Sequence, residues 1–152
     1  MADLEGQESI EIEAPIDAVW AVAADVERAP EWHGAMKVAD ALEHDERGRP
    51  VLVDTHQDAI VTSVKLLLRF SYDEHRAIRW VRERGDLKSL VGGWHFEEVE
   101  SGLTRATYSL EIGLNRALSL LRKGVRGPVE AKVREHLARR PVEGLKRAVE
   151  GR

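Results

Sequence analysis

The chain has 152 residues, a formal net charge of −4 and no cysteine. That length suits one domain, able to bury about 70% of the surface its unfolded chain exposes; the missing thiols exclude a disulfide framework, a thiol nucleophile and a cysteine-based zinc finger. The N-terminal MADLEGQES is acidic and holds no apolar run, and no later segment approaches the roughly 20 apolar residues of a membrane span. A cytoplasmic protein with no integral membrane segment is the expectation.

The charge is unevenly spread. Residues 1–113 hold 12 Lys/Arg against 23 Asp/Glu, a balance of −11, whereas residues 114–152 hold 11 against 4, a balance of +7. A basic tail can seek phosphate or make transient contact with an anionic membrane. Glutamates interrupt it and no basic block is long, so a solvated helix face against an acidic body is the weightier reading.

Ser9 to Glu13 (S-I-E-I-E) alternates and predicts a half-buried strand. Ala14-Pro15 ends it. Pro15 suits the first position of a helix and Asp17 its first turn, after which Ile16, Val19, Trp20, Val22 and Ala23 form an apolar face. Asp25 is an N-cap candidate for a second short helix, which Pro30 closes. Trp32 then falls in an open connection, where wet apolar surface has to be covered by something.

From Ala35 to Ile112 short alternating segments follow one another: Lys37 to Glu43, Val51 to Asp58, Val64 to Tyr72, then segments around Ile78 and Trp80, Trp94 and Phe96, and Ala106 to Ile112. Turn residues separate them (Asp45 to Arg49, Asp73 to His75, Gly85-Asp86), which predicts an antiparallel meander. After Gly113 the period changes. Val129, Val133, Leu137, Leu145 and Val149 recur at multiples of four from Pro128, predicting a helix to Glu150, about 34 Å long and kinked by Pro141. Leu114, Leu118 and Leu121 mark a shorter helical piece over Asn115 to Lys123. The sum is a single α+β domain: a seven-stranded sheet, two short N-terminal helices and a long C-terminal helix as cover. A strongly curved sheet leaves more space than one helix fills, so a cavity is expected between them.

At this point the sequence resembles the START-like, or Bet v 1-like (SRPBCC), superfamily with its helix-grip fold, and within it the bacterial polyketide cyclase/dehydrase and lipid-transport group. The matching residues are A-P-I-D-A-V-W at 14–20, D-V-E-R at 25–28, P-E-W-H-G at 30–34 and I-R-W-V-R-E at 78–83, with G-D-L-K at 85–88, G-W-H-F at 93–96, T-R-A-T-Y-S-L-E at 104–111 and V-E-G-L-K-R-A-V-E at 142–150. Each is weak alone; their order over residues 8–150 is specific. The resemblance implies a pocket for a hydrophobic small molecule such as a lipid, isoprenoid quinone or polyketide, without naming the ligand. Pro141 is unusual for the pattern and puts the depth of the groove in question.

Strand parity selects the inward residues: Leu66, Leu68, Phe70 and Tyr72 beside Val64; Ile78, Trp80 and Arg82; Trp94 and Phe96; Tyr108 and Leu110. Plain core packing is the competing reading, and the resemblance favours a lined pocket, with Leu137 from the terminal helix. Tyr72 and Tyr108 can orient a ligand oxygen or bond a backbone group. Arg82 can meet an acidic ligand group. For Trp32 the resemblance implies the mouth of the groove, and the alternative is a staple pinning the short helices to the sheet rim.

Asp54, His56 and Asp58 share a strand face in a spacing that can bind metal or relay protons. Val51, Val53 and Thr55 are the apolar parity, however, which puts the triplet on the solvent face. His33 can reach the mouth; His44, His75, His95 and His136 fit the surface. No nucleophile elbow, phosphate loop, HExxH or cofactor motif is present.

Three functions follow. The leading one is a non-catalytic carrier of a hydrophobic small molecule, with Trp80, Trp94, Phe70 and Tyr108 as walls and no cofactor, metal or nucleic acid involved. An aromatase or cyclase enzyme is the second, resting on Arg82, Tyr72 and Tyr108. The third is an interaction module using the basic helix, which lacks any nucleic-acid motif. The oligomeric state is not legible.

Overall fold

Alternating strands need an apolar partner on one face only, and here they find it by joining into one sheet. The computed structural model describes residues 3–59, 62–115 and 135–151. In chain order it contains β1 (Leu4–Ile12), α1 (Ile16–Ala23), a 3₁₀ segment (Val26–Glu31), β2 (Met36–His44), β3 (Pro50–Ala59), β4 (Thr62–Asp73), β5 (Ala77–Gly85), β6 (Ser89–Glu100) and β7 (Leu103–Gly113). A π-helical turn (Glu135–Arg139) then leads into α2 (Arg140–Glu150).

The strands form one antiparallel sheet in the order β1-β7-β6-β5-β4-β3-β2. Consecutive strands from β2 to β7 are neighbours, as short turns dictate, but β1 lies at one edge and β2 at the other. The connection from β1 to β2 must therefore cross the sheet. It does so as α1 and the 3₁₀ segment, which makes these two pieces part of the roof over the concave face. The curved sheet gripping a C-terminal helix is the helix-grip architecture the resemblance implied.

Strand parity holds. In β7 the buried positions alternate through Thr104, Ala106, Tyr108 and Leu110, and in β6 through Leu90, Gly92, Trp94 and Phe96. Inward side chains of β3, β4 and β5 (Val53, Thr55, Leu66, Leu68, Phe70, Ile78 and Trp80) join the same core. Trp80 fits because its neighbour across the ladder is Gly92: a Cβ there would overlap the Trp80 indole.

The structure revises two helices. The second short helix is 3₁₀, and Pro30 lies inside it rather than closing it. Asp25 makes no capping bond with its side chain; its backbone carbonyl accepts from Arg28 N instead. An i→i+3 pattern over six residues tolerates a proline at the cost of one bond. The chain then leaves through two amides, Trp32 N and His33 N, which both donate to the Ala29 carbonyl. At the C-terminus, Pro141 sits in the first turn of α2 after the π-helical turn, and it is fully buried. A widened turn just ahead of a proline relieves the clash that a continuous α-helix would suffer. The stripe expected on this helix is real over Leu137, Pro141, Leu145 and Val149, all buried. Its earlier part at Val129 and Val133, and the piece over Leu118 and Leu121, lie outside the described residues.

The helix α2 packs across β1 and β7 and against α1. On this helix Lys146 pairs with Glu150 at 2.6 Å and Arg147 with Glu143 at 4.0 Å, and Arg139 of the preceding turn reaches Glu8 of β1 at 3.8 Å. No helix among the described residues is long and apolar enough to cross a membrane.

Candidate functional site: an aromatic-lined interior cavity

Four strands and the connection after the 3₁₀ segment send rings to one place. Tyr108 of β7 touches Trp94 of β6 edge-on, with ring centroids 4.8 Å apart, and lies 5.5 Å from Trp80 of β5. Trp80 in turn meets Phe70 of β4 at 5.6 Å. Trp32 closes the group from above, 6.2 Å from Trp94. These rings, with Ile78, Met36, His33 and Gln57, enclose a cavity of about 30 Å³. That holds a water but no drug-sized molecule.

Among the described residues, the space that these rings border is therefore small. The physical reason is the roof. Three helical pieces cover the sheet rather than one, and Val22, Ala23, Val26 and Ala29 from the N-terminal pieces pack down among the rings.

Trp32 covers the boundary between inside and outside. On its inner side is the cavity; on its outer side is a groove of about 400 Å³ bordered by Val22, Asp25, Arg28, Glu31, Gly144 and Arg147. Gly144 of α2 is required by that contact, because a Cβ there would overlap the Trp32 carbonyl. Trp32 is thus both a staple and a wall, since the backbone is clamped to α2 while the indole divides groove from cavity. Its Nε1–H is buried with no hydrogen-bond partner among the described residues.

His33 supplies the polar edge. It is 5% exposed, and its Nδ1 accepts from Ala35 N at 3.4 Å and Met36 N at 3.3 Å. Two amides aimed at Nδ1 leave no room for a proton there, so the ring is neutral with its hydrogen on Nε2. Nε2 then donates to the Tyr108 hydroxyl oxygen, 3.4 Å away. The Tyr108 phenol is 3% exposed, and burial pushes its pKa far above the ordinary value, so it keeps its proton.

The model of one family, described as polyketide cyclase / dehydrase and lipid transport, matches residues 4–150. The chain belongs to this family. Solved structures with the same fold include a START superfamily protein from Mycobacterium smegmatis, at 17% identity with a TM-score of 0.77 and 97% of each chain covered. A protein from Thermus thermophilus is 21% identical over 97% of each chain, with a TM-score of 0.79. The Zhui aromatase/cyclase of a Streptomyces species is 19% identical, with a TM-score of 0.70, over 97% of this chain and 91% of its own. No curated protein sequence matches the chain.

Within this polyketide cyclase/dehydrase and lipid-transport domain, Trp32, Phe70, Ile78, Trp80, Trp94 and Tyr108 come together around the cavity. Leu66, Leu68, Leu110 and Leu137 are buried core residues that do not line it. Tyr72 and Phe96 belong to a second aromatic group beneath α1, where Trp20 meets them at 6.3 and 6.0 Å. The Tyr72 hydroxyl donates to the Pro50 carbonyl at 2.5 Å, and the Arg49 guanidinium lies 4.8 Å from its ring, so Tyr72 is a structural strut. Burial raises its pKa strongly too, with Arg49 opposing.

Arg82 turns inward at a bulge where Leu68 opposes it. Its Nε is buried without a partner among the described residues, while Nη2 donates to the Gly85 carbonyl at 3.4 Å. It does not line the cavity.

Asp54, His56 and Asp58 take the outer parity, opposite buried Val53 and Thr55. No cluster of three or more metal-ligating side chains exists among the described residues. Met36 and Gln57 escaped the sequence reading, and His33 was legible only as a neighbour of Trp32. The connection that carries His33 has no periodicity from which an inward direction follows.

Proposed function

We propose that this domain binds and carries an uncharged hydrophobic small molecule in its helix-grip interior, without catalysing its conversion. A lipid, an isoprenoid quinone or a polyketide-like compound fits the description. The observation that carries this reading is the ring cluster of Phe70, Trp80, Trp94 and Tyr108 around a cavity that one side chain, Trp32, divides from an outer groove. Turning a single indole toward the groove would join the two spaces. A ligand burying about 300 Å² of apolar surface would gain on the order of 7 kcal/mol before association costs.

Native mass spectrometry of protein purified from its own host tests this. A co-purified apolar molecule, lost on Trp80→Ala substitution, is the expected result. Protein that is ligand-free as isolated, and that takes up no lipid, quinone or aromatic polyketide when these are supplied, would overturn it.

A second reading, a polyketide aromatase or cyclase, is favoured by one feature: a neutral imidazole and a phenol 3.4 Å apart inside the cavity, which can serve a proton transfer. It requires turnover of a polyketide-like substrate that Tyr108→Phe abolishes. Binding without turnover leaves the carrier.

A further inference from the structure

Hydrogen-bond accounting at the cavity goes one step beyond the carrier reading and rests on it. Among the described residues the polar groups lining the space make these bonds. His33 Nδ1 is spent on two backbone amides, so Nε2 carries the ring's proton and directs it at the Tyr108 oxygen. One amide hydrogen of Gln57 goes to Thr55 Oγ1 at 3.1 Å, leaving its second hydrogen and its oxygen, and Thr55 in turn donates to the Leu66 carbonyl at 2.8 Å. Two donors on the rings are left over as well. One is the hydroxyl proton of Tyr108, whose oxygen is engaged as an acceptor and whose hydrogen is not. The other is the indole N–H of Trp32, buried with no partner among the described residues.

An unmet buried donor costs about 1–3 kcal/mol, so both groups favour whatever brings an acceptor or lets them out. A carboxylate would accept, but no described side chain lining the inner cavity carries a positive charge to offset its desolvation, and Arg82 is not in the lining. A hydrocarbon brings no acceptor, and an ammonium brings more donors and a charge that no described lining side chain offsets. We infer that the ligand is anchored by an uncharged carbonyl oxygen, a ketone or quinone, which takes the hydrogen of Tyr108 while His33 holds the phenol oriented. The body of the ligand takes the space the Trp32 indole leaves as it turns toward the groove, where its N–H meets water. His33 is a positioning residue here, and Tyr108 is the residue that selects the ligand.

Three rigid tricyclic probes of nearly equal shape isolate the effect: 9-fluorenone, fluorene and fluorene-9-carboxylate. Equilibrium dialysis against wild type and Tyr108→Phe gives the affinity ratio of fluorenone to fluorene within each protein. That ratio is insensitive to partial loss of folded protein. Wild type is expected to favour fluorenone by about 5-fold, the central value for one net hydrogen bond. Tyr108→Phe should bring the ratio to about 1. A ratio near 1 in wild type, or one that survives Tyr108→Phe, overturns the carbonyl inference and leaves the carrier reading standing. Tightest binding of the carboxylate also overturns it, pointing to an anion site. If wild type binds none of the three, the cavity reading fails and the inference fails with it.

Discussion

Replacing Trp94 by alanine asks whether the ring cluster is a wall or a keystone. Strand parity together with the resemblance makes Trp94 a pocket wall, whose removal would weaken binding and leave the fold intact. Its packing argues differently. Trp94 is 4% exposed and packs on Tyr108 at 4.8 Å, Phe96 at 5.9 Å and Trp32 at 6.2 Å. Removing a buried tryptophan costs about 3–5 kcal/mol, and aromatic pairs add about 0.5–1.5 kcal/mol each beyond their area, so the upper half of that range applies. Against a typical total of about 5–15 kcal/mol the domain remains folded but loses a large share of its stability. At about 2–4 °C per kcal/mol for this chain length, the Tm should fall by roughly 10–15 °C. The hole left is apolar and shaped for an indole. Free indole at ten times its Kd should return about 1.4 kcal/mol to the variant and nothing to wild type. Urea denaturation with and without indole measures both quantities. A loss under about 1 kcal/mol, or no rescue by indole, would refute the claim that these rings hold one another in place.

The two buried phenols predict an alkaline limit. Tyr72 and Tyr108 both have folded pKa values well above the ordinary 10, so above pH 10 the folded state holds protons that the unfolded chain has released. Stability is fully present below pH 10 and falls as pH rises beyond it, for Tyr108 by up to about 1.4 kcal/mol per pH unit. Denaturation midpoints from about pH 9 to 12 should show this slope, shallower in Tyr108→Phe; equal slopes would contradict it. Gly144→Ala sets two effects against each other. Helix propensity favours alanine by about 1 kcal/mol, but the new Cβ meets the Trp32 carbonyl, a backbone atom that no rotamer change can move away. Overpacking costs about 1–3 kcal/mol and more where backbone must shift, so net destabilisation is expected, with a red-shifted tryptophan emission as the Trp32 contact opens. A stabilised variant would show that α2 is not clamped there.

Much of the fold is readable because its signals are local. The alternation of Val64, Leu66, Leu68 and Phe70 names a face without reference to any other strand, and so does that of Ala106, Tyr108, Leu110 and Ile112. The inward placement of Trp80, Trp94 and Tyr108 follows from the same rule. Even the outward placement of Asp54, His56 and Asp58 is legible, because Val53 and Thr55 claim the core. Pro141 shows the limit of such reasoning. A proline on an apolar stripe announces a disturbance, but whether the helix kinks, stops or widens depends on what it packs against.

His33 marks the boundary more sharply. Nothing in P-E-W-H-G directs its ring inward, and its tautomer is set by Ala35 and Met36 amides that a 3₁₀ exit happens to aim at Nδ1. The division between Tyr108 at the cavity and Tyr72 as a strut is likewise invisible in sequence, since both occupy inward positions of long strands. One meets an imidazole from a connection 75 residues away, the other the Pro50 carbonyl 22 residues away. The amino-acid order alone determines the strands, their faces, the β-to-helix sequence of elements and the kinship of the domain. Tertiary structure alone decided how much empty space lies beneath the roof and which polar atoms border it. Periodicity specifies a direction for each side chain, whereas a volume depends on how Trp20, Trp32, Trp94 and Pro141 meet in three dimensions, and no local pattern carries that sum.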